Sequence, residues 1–311
     1  MEIGKIIFSN EQKDIVPDNS RSGCVALVGA TNAGKSTLIN RFVGAKVSIV
    51  THKVQTTRSI IRGIVSEKES QIVFLDTPGI FQANDSYHKL MIRSSWSTIK
   101  HAEIICFVVD SNRGLKVDVC DILKEIGKRS CRLILILNKI DCVKQESLLE
   151  QAEIANKLAS IDKTFMVSAT KGHGCDDVLN YLFSKLPLSP WIYSSDQITD
   201  LPMFYFSAEI TREKLFLYLH KEIPYSSFVV TEQWEERKDG SVLIRQVIYV
   251  DRPNQRKIVI GKNGQNIKNI SLEAKKEISE ILEQTVHLIL FVKVQKDWMD
   301  DSKYCSQIES F

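Results

Sequence analysis

Residues Gly29-Ala30-Thr31-Asn32-Ala33-Gly34-Lys35-Ser36 fit the spacing G-x-x-x-x-G-K-[ST]. The chemistry of that spacing is phosphate binding. Two glycines let the backbone wrap an anion, and the following helix aims its N–H groups and positive dipole end at it. Lys35 would reach the β- and γ-phosphates, and the Ser36 hydroxyl would ligate Mg²⁺. Gly29, Asn32, Ala33, Gly34, Lys35, Ser36 and Thr37 are the candidate phosphate contacts. Further on, Asp76-Thr77-Pro78-Gly79 stands where an apolar run ends. A carboxylate there can hold the metal through water, and the Gly79 N–H can meet the γ-phosphate. Alone, D-x-P-G is an ordinary turn; after a phosphate loop it reads as the other half of a nucleoside triphosphate site. Between the two lies the polar stretch His52–Arg58, where a threonine can cover the metal. Thr57 is preferred to Thr56. Lys35, Thr57, Asp76 and Gly79 are thus the candidate catalytic residues, and Ser36, Thr57 and Asp76 the candidate metal set.

The base is read elsewhere. Asn138-Lys139-Ile140-Asp141 closes an apolar run. Asp141 can accept two hydrogen bonds from guanine N1–H and its 2-amino group. Adenine lacks that donor pair and would leave a desolvated carboxylate unpaired. Asn138 can tie loops together, and the Lys139 stem can cover the base. Ser168-Ala169-Thr170 ends the next apolar run, where the Ala169 N–H can meet guanine O6, though three residues this common carry little by themselves.

These residues need strand ends to stand on, and the chain supplies them. Segments 24–29, 60–66, 71–76, 104–110, 132–138 and 164–169 read as strands. Helical patterns occupy 35–43, 86–100, 117–129, 147–160 and 175–186. Continuous apolar strands alternating with amphipathic helices predict an α/β fold with a mostly parallel, doubly wound sheet. The link between 60–66 and 71–76 is too tight for a parallel crossover, so an antiparallel edge pair is expected. The pattern changes at 187–202, which reads as a linker or an ordered strap. Beyond it the order helix 208–221, strands 227–237 and 241–251, two helices around Gly261–Gly264, and strand 286–294 predicts a small α+β domain, α-β-β-α-α-β. The expected divisions are an extension over 1–21, domains over 22–186 and 203–301, and a tail over 302–311.

Composition bounds the rest. The chain has 311 residues, 43% of them hydrophobic and 25% charged, which excludes a disordered or collagen-like chain. Seven cysteines, an odd number with no C-x-x-C spacing, suggest neither a disulfide framework nor a zinc site, so free thiols in a reducing compartment are expected. No apolar run approaches the roughly 18 residues of a membrane span, and no leader is visible at the N-terminus. A cytoplasmic, monomeric protein is expected.

The ordered set GATNAGKS, QTTR, DTPG, NKID and SAT resembles a translation-factor-type GTPase. With SAEITREKL, KEIPYS, IVIGKNGQNIK and VHLILFVKVQKDWMDD in the second half, the chain over 22–301 resembles the Era family. That resemblance implies a P-loop GTPase domain followed by a KH domain. It also implies GTP and GDP as ligands, binding of small-subunit ribosomal RNA, and a role in assembling the small ribosomal subunit. The alternative is a GTPase whose KH-like half docks a protein or a membrane. Weak peripheral association with the inner face of the cell membrane is implied only by the resemblance, since no anchor is seen. Ile80 follows Gly79, where many signalling GTPases carry a water-orienting Gln, so slow hydrolysis is expected. Related potassium-activated GTPases place a cation ligand at the position of Asn32, which makes K⁺ a candidate activator. His52 and His88 are weaker candidates for an in-chain base.

Gly261-Lys262-Asn263-Gly264 fits the G-x-x-G loop of a KH domain. About one such match arises by chance in a chain of this size, so its setting between two short helices carries the weight. Eight basic residues (Arg245, Arg252, Arg256, Lys257, Lys262, Lys268, Lys275, Lys276) face two acids (Asp251, Glu273) across 245–276. Single-stranded RNA is the expected ligand. Arg256, Lys257, Ile258, Ile260, Gly261, Lys262, Asn263, Gly264 and Lys268 are its candidate contacts, the two isoleucines flooring a groove for unstacked bases.

Overall fold

The structure, a computed structural model, describes residues 19–53, 56–80, 92–93, 95–97, 99–220 and 222–296. Two compact units form. The first holds residues 19–48 and 57–200; the second holds 201–296 together with the described part of 49–56.

In the first unit the order is β1 (Arg21–Val28), α1 (Lys35–Val43), β2 (Ile61–Glu67), β3 (Ser70–Asp76), β4 (Ile104–Asp110), α2 (Val117–Gly127), β5 (Arg132–Asn138), α3 (Gln145–Leu158), β6 (Lys163–Val167) and α4 (Cys175–Lys185). The six strands lie in the order β2-β3-β1-β4-β5-β6. Only β2 runs antiparallel, at the edge and paired with β3, as the tight link between them predicts. β4, β5 and the part of β1 from Cys24 on are apolar at nearly every position because both faces are covered, and side chains alternate between the faces. Val25, Leu27, Cys106, Val108, Ile134 and Ile136 meet Leu38, Phe42, Val178 and Leu182 on one side. Ala26, Val28, Phe107, Val109, Leu135 and Leu137 meet Leu123, Ile126, Leu148 and Ala155 on the other.

Residues 187–200 are an ordered strap on this unit. The Ser22 hydroxyl donates to the Pro190 carbonyl (2.6 Å), Gln71 accepts the N–H groups of Ile192 and Tyr193 (2.9 and 3.0 Å), and Arg62 pairs with Asp200 at 2.9 Å. The stretch expected to carry a helix over 86–100 lies largely outside the described residues, as do most of the N-terminal extension, residues 297–301 and the tail.

The second unit runs α5 (Met203–Tyr218), β7 (Ser227–Glu236), β8 (Val242–Val250), α6 (Pro253–Ile260), α7 (Gln265–Leu282) and β9 (Val286–Val294). β8 pairs antiparallel with β7 and parallel with β9. Helix α5 starts five residues before the expected 208. It is buried on almost every side, charged residues included, so it shows no apolar stripe to locate it. The Arg212 guanidinium pairs with Glu209 and donates to the Thr56 carbonyl at 2.6 Å. The Val50 N–H donates to Glu213 (2.9 Å), and the Lys53 ammonium to the carbonyls of Phe216 and Leu219. Val50, Lys53 and Thr56 are thus held on α5.

Candidate nucleotide site and RNA interface

Strand β1 ends at Val28, and the turn 29–34 delivers the chain into α1. Gly34 sits at φ 96°, and a Cβ there would lie 2.2 Å from Asn138 Nδ2. A glycine is what lets the end of β5 touch the loop. The Lys35 ammonium donates to the carbonyls of Gly29 (3.2 Å) and Ala30 (3.0 Å). It is buried, and desolvation pulls its pKa down to about 8 against the opposing pull of Asp76.

Asp76 is the last residue of β3. Its Oδ2 accepts hydrogen bonds from the hydroxyls of Ser36 (2.7 Å) and Ser48 (2.9 Å). Burial pushes its carboxyl pKa up, although Lys35 and the hydroxyls pull the other way. Ser36 Oγ also lies 3.0 Å from Thr57 Oγ1. The single Ser36 proton goes to Asp76, so Thr57 is the donor in that contact. The Thr56 hydroxyl instead lies 2.8 Å from Thr51 Oγ1 and donates to the Lys53 carbonyl at 2.9 Å. Asp76 Oδ1 is buried and has no hydrogen-bond partner among the described residues. An orphaned carboxylate oxygen beside two hydroxyls is a hard, oxygen-only donor set, and it fits Mg²⁺. Ser36 and Thr57 would hold the ion directly, and Asp76 through water.

Gly79 is pressed onto the phosphate loop: a Cβ there would lie 2.8 Å from Thr31 Cα and 2.9 Å from Thr31 N. The next N–H, that of Ile80, donates to the Gly29 carbonyl at 3.2 Å. The Ile80 side chain packs into the core with Ile99 and Val109. It offers nothing to orient a water.

The base side hangs on Asn138. Its Nδ2 donates to the Ala33 carbonyl (2.9 Å), and its Oδ1 accepts the N–H groups of Lys139 (2.8 Å) and Ala169 (3.1 Å). The Ala169 N–H, expected to face guanine O6, is therefore engaged by Asn138 here. Lys139, at φ 65°, donates to the Asn32 carbonyl (2.9 Å) and pairs with Asp110 at 2.6 Å. Asp141 is exposed, and the Ser168 hydroxyl beside it holds its carboxyl below the usual range. The carboxylate is ionised at neutral pH and open to solvent. Thr37 lies in the first turn of α1.

The phosphate, metal and base candidates thus lie on the loops after β1, β3, β5 and β6, the ends where parallel sheets place ligands, with Thr57 joining them from the segment before β2. Sequence reasoning missed Asn40, Ser48 and Asp110. Asp110 was findable, because it ends β4 in register with Asn138. Ser48 has no motif around it.

In the second unit Gly261 sits at φ 77°, and a Cβ there would meet Asn266 N at 2.9 Å. Asn266 donates back to the Ile258 carbonyl at 2.8 Å, which fixes the turn between α6 and α7. Asn263 at φ 51° and Gly264 at φ 76° turn the loop outward. Arg256, Lys257, Lys262, Asn263 and Lys268 are exposed. Ile258 is 48% exposed and Ile260 half-buried, while Val259 between them is buried in the core. The loop and its flanks present a basic surface with the Ile258 side chain exposed beside it.

Comparisons with known proteins agree with this arrangement. Residues 24–139 match the family model described as 50S ribosome-binding GTPase, and residues 222–299 match that of the KH domain. The chain is 59% identical to GTPase Era of Agrobacterium fabrum over 282 residues, covering 91% of this chain and 89% of that one. It is 56% identical to GTPase Era of Rhizobium meliloti over 299 residues, 95% of each. Among solved structures it resembles Era in complex with MgGDPNP and nucleotides 1506–1542 of 16S ribosomal RNA. There the identity is 33% and the TM-score 0.89, with 94% of this chain and 99% of that one covered. It also resembles a variant of Aquifex aeolicus Era bound to GDP·AlF4⁻, at 34% identity and TM-score 0.88, with 93% and 99% covered.

Proposed function

The chain belongs to the Era family of GTPases, and we propose that it works as a slow GTP-driven switch that holds small-subunit ribosomal RNA on its Gly261–Gly264 loop. The observation that carries the GTPase half is the joint geometry of Lys35, Ser36, Thr57 and Asp76 under a loop tied to the base reader by Asn138. Lys35 would leave the Gly29 and Ala30 carbonyls for the β- and γ-phosphates. The Gly79 N–H would meet the γ-phosphate, and Asp141 would select guanine. Bound Mg²⁺ would neutralise charge that builds on the phosphate oxygens. With Ile80 buried, backbone groups must do the work of positioning water, which supports a low intrinsic rate.

The RNA reading rests on the basic, glycine-turned loop between α6 and α7 and on the likeness to the Era complex that holds 16S ribosomal RNA. The matching GTPase family model is described by the 50S subunit. The whole-chain likeness to Era is the more specific guide, and it favours the small subunit and its assembly. Lys262→Glu tests this: RNA retention should be lost with GTP affinity unchanged, and unchanged retention would defeat the reading.

K⁺ is proposed as an activating ion near Asn32, which stands in the phosphate loop at φ 62°. The free thiols of the described residues are in keeping with a cytoplasmic address. Among those residues no helix is long and apolar enough to cross a membrane.

A further inference from the structure

Helix α1 ends at Val43, where Gly44 at φ 76° caps it through an N–H bond to the Asn40 carbonyl (3.0 Å). The chain then doubles back along the helix, and the Asn40 side chain staples it there. Its Oδ1 accepts the N–H groups of Val47 and Ser48, each at 2.9 Å, and its Nδ2 donates to the Ser48 carbonyl at 2.7 Å. The three bonds leave Ser48 no freedom to swing. Its side chain is wholly buried and points its hydroxyl at Asp76 Oδ2.

Asp76 therefore takes two hydroxyl protons on one oxygen and none on the other. A carboxylate on a strand end can rotate about its last torsion, and either oxygen can serve a metal's water shell. The Ser36 hydroxyl also gives a lone pair to the ion, so its place follows the ion and it is no independent anchor for that torsion. Ser48 has no such second duty. We propose that Ser48, held by Asn40, is a positioning residue for the metal carboxylate: it anchors Oδ2 and leaves Oδ1 turned to the ion. The proposal rests on the reading of Asp76 as the Mg²⁺ carboxylate.

The test is release of fluorescently labelled GDP from the full-length protein, followed across a Mg²⁺ titration and again in excess EDTA. In Ser48→Ala, the Mg²⁺ concentration that half-slows release should rise about tenfold, the scale of one lost hydrogen bond to a charged group. Release in EDTA should match the wild type. Ser48→Thr, which keeps the hydroxyl, should restore the wild-type midpoint. Asn40→Ala, which frees the loop and keeps Ser48, should move the midpoint in the same direction. A Ser48→Ala protein with an unshifted midpoint, or with release equally faster in EDTA, would overturn the proposal. Should Ser48→Ala not fold, the Asn40→Ala midpoint decides by the same two criteria. Wild-type release indifferent to Mg²⁺ would instead overturn the metal site itself.

Discussion

Asn138 Nδ2 and the Ala33 carbonyl lie 2.9 Å apart, and this bond ties the end of β5 to the middle of the phosphate loop. The same side chain accepts the Ala169 N–H, so one buried amide holds three loops. The candidate base-reading and phosphate-binding loops are therefore mechanically joined. Asn138→Ala should weaken both GDP and GTP about tenfold or more, since it leaves buried backbone groups unpaired. Asp141→Asn should instead weaken guanine nucleotides and relax discrimination against other bases. Equilibrium titrations with labelled GDP and competing XDP separate the two.

The pH behaviour of nucleotide binding follows from Lys35. Burial sets its pKa at about 8 in the free protein, below the ordinary lysine value of 10.5. Phosphate binding favours the ammonium, so its pKa rises in the complex. Below about 8 free and bound protein are both charged, and affinity is flat. Above it the free protein has lost a proton that binding must restore, and affinity should fall by up to about tenfold per pH unit. The sign is opposite for folding: the nucleotide-free fold gains stability as pH rises from about 8 towards 10.5, because only the unfolded chain still holds the proton. Calorimetric titration at pH 7 to 9 in two buffers of different ionisation enthalpy should show proton uptake only at the upper end.

Gly79 should be intolerant of any side chain. A methyl group there meets backbone atoms of Thr31, which have no room to yield. Gly79→Ala should leave GDP affinity near wild type, abolish the preference for GTP, and lower kcat by about tenfold or more, the scale of a lost preorganised donor. Single-turnover hydrolysis with parallel GDP and GTP titrations measures all three.

The cation reading gives a separate outcome. Hydrolysis should be several-fold faster in K⁺ than in Na⁺ at equal ionic strength, and Asn32→Ala should erase the difference. Equal rates in the two salts for the wild type would remove K⁺ from the account.

Much of this was legible from residue patterns. Strands 104–110 and 132–138 and helix 35–43 fall where apolar runs and the lysine after the glycine loop put them. The candidate nucleotide residues could be named because phosphate chemistry demands fixed spacings. What escaped depends on contacts far apart in the chain. Ser48 reaches Asp76 across 28 positions through a staple that no local pattern marks. α5 hid its start because burial on all sides removes the helical period, and its charged residues are paired inside rather than solvated. Residues 187–202 read as a linker or an ordered strap, undecided between the two, because proline-rich segments look alike whether free or bonded to a sheet edge.

The most direct measurement of the central claim is crosslinking of the tagged protein to RNA in living cells, followed by sequencing of the bound fragments, for the wild type and Lys262→Glu side by side. The account predicts strong enrichment of small-subunit ribosomal RNA with the wild type and its loss in the variant, while purified variant protein still binds and hydrolyses GTP. No enrichment of that RNA with the wild type, or equal enrichment with Lys262→Glu, would contradict it.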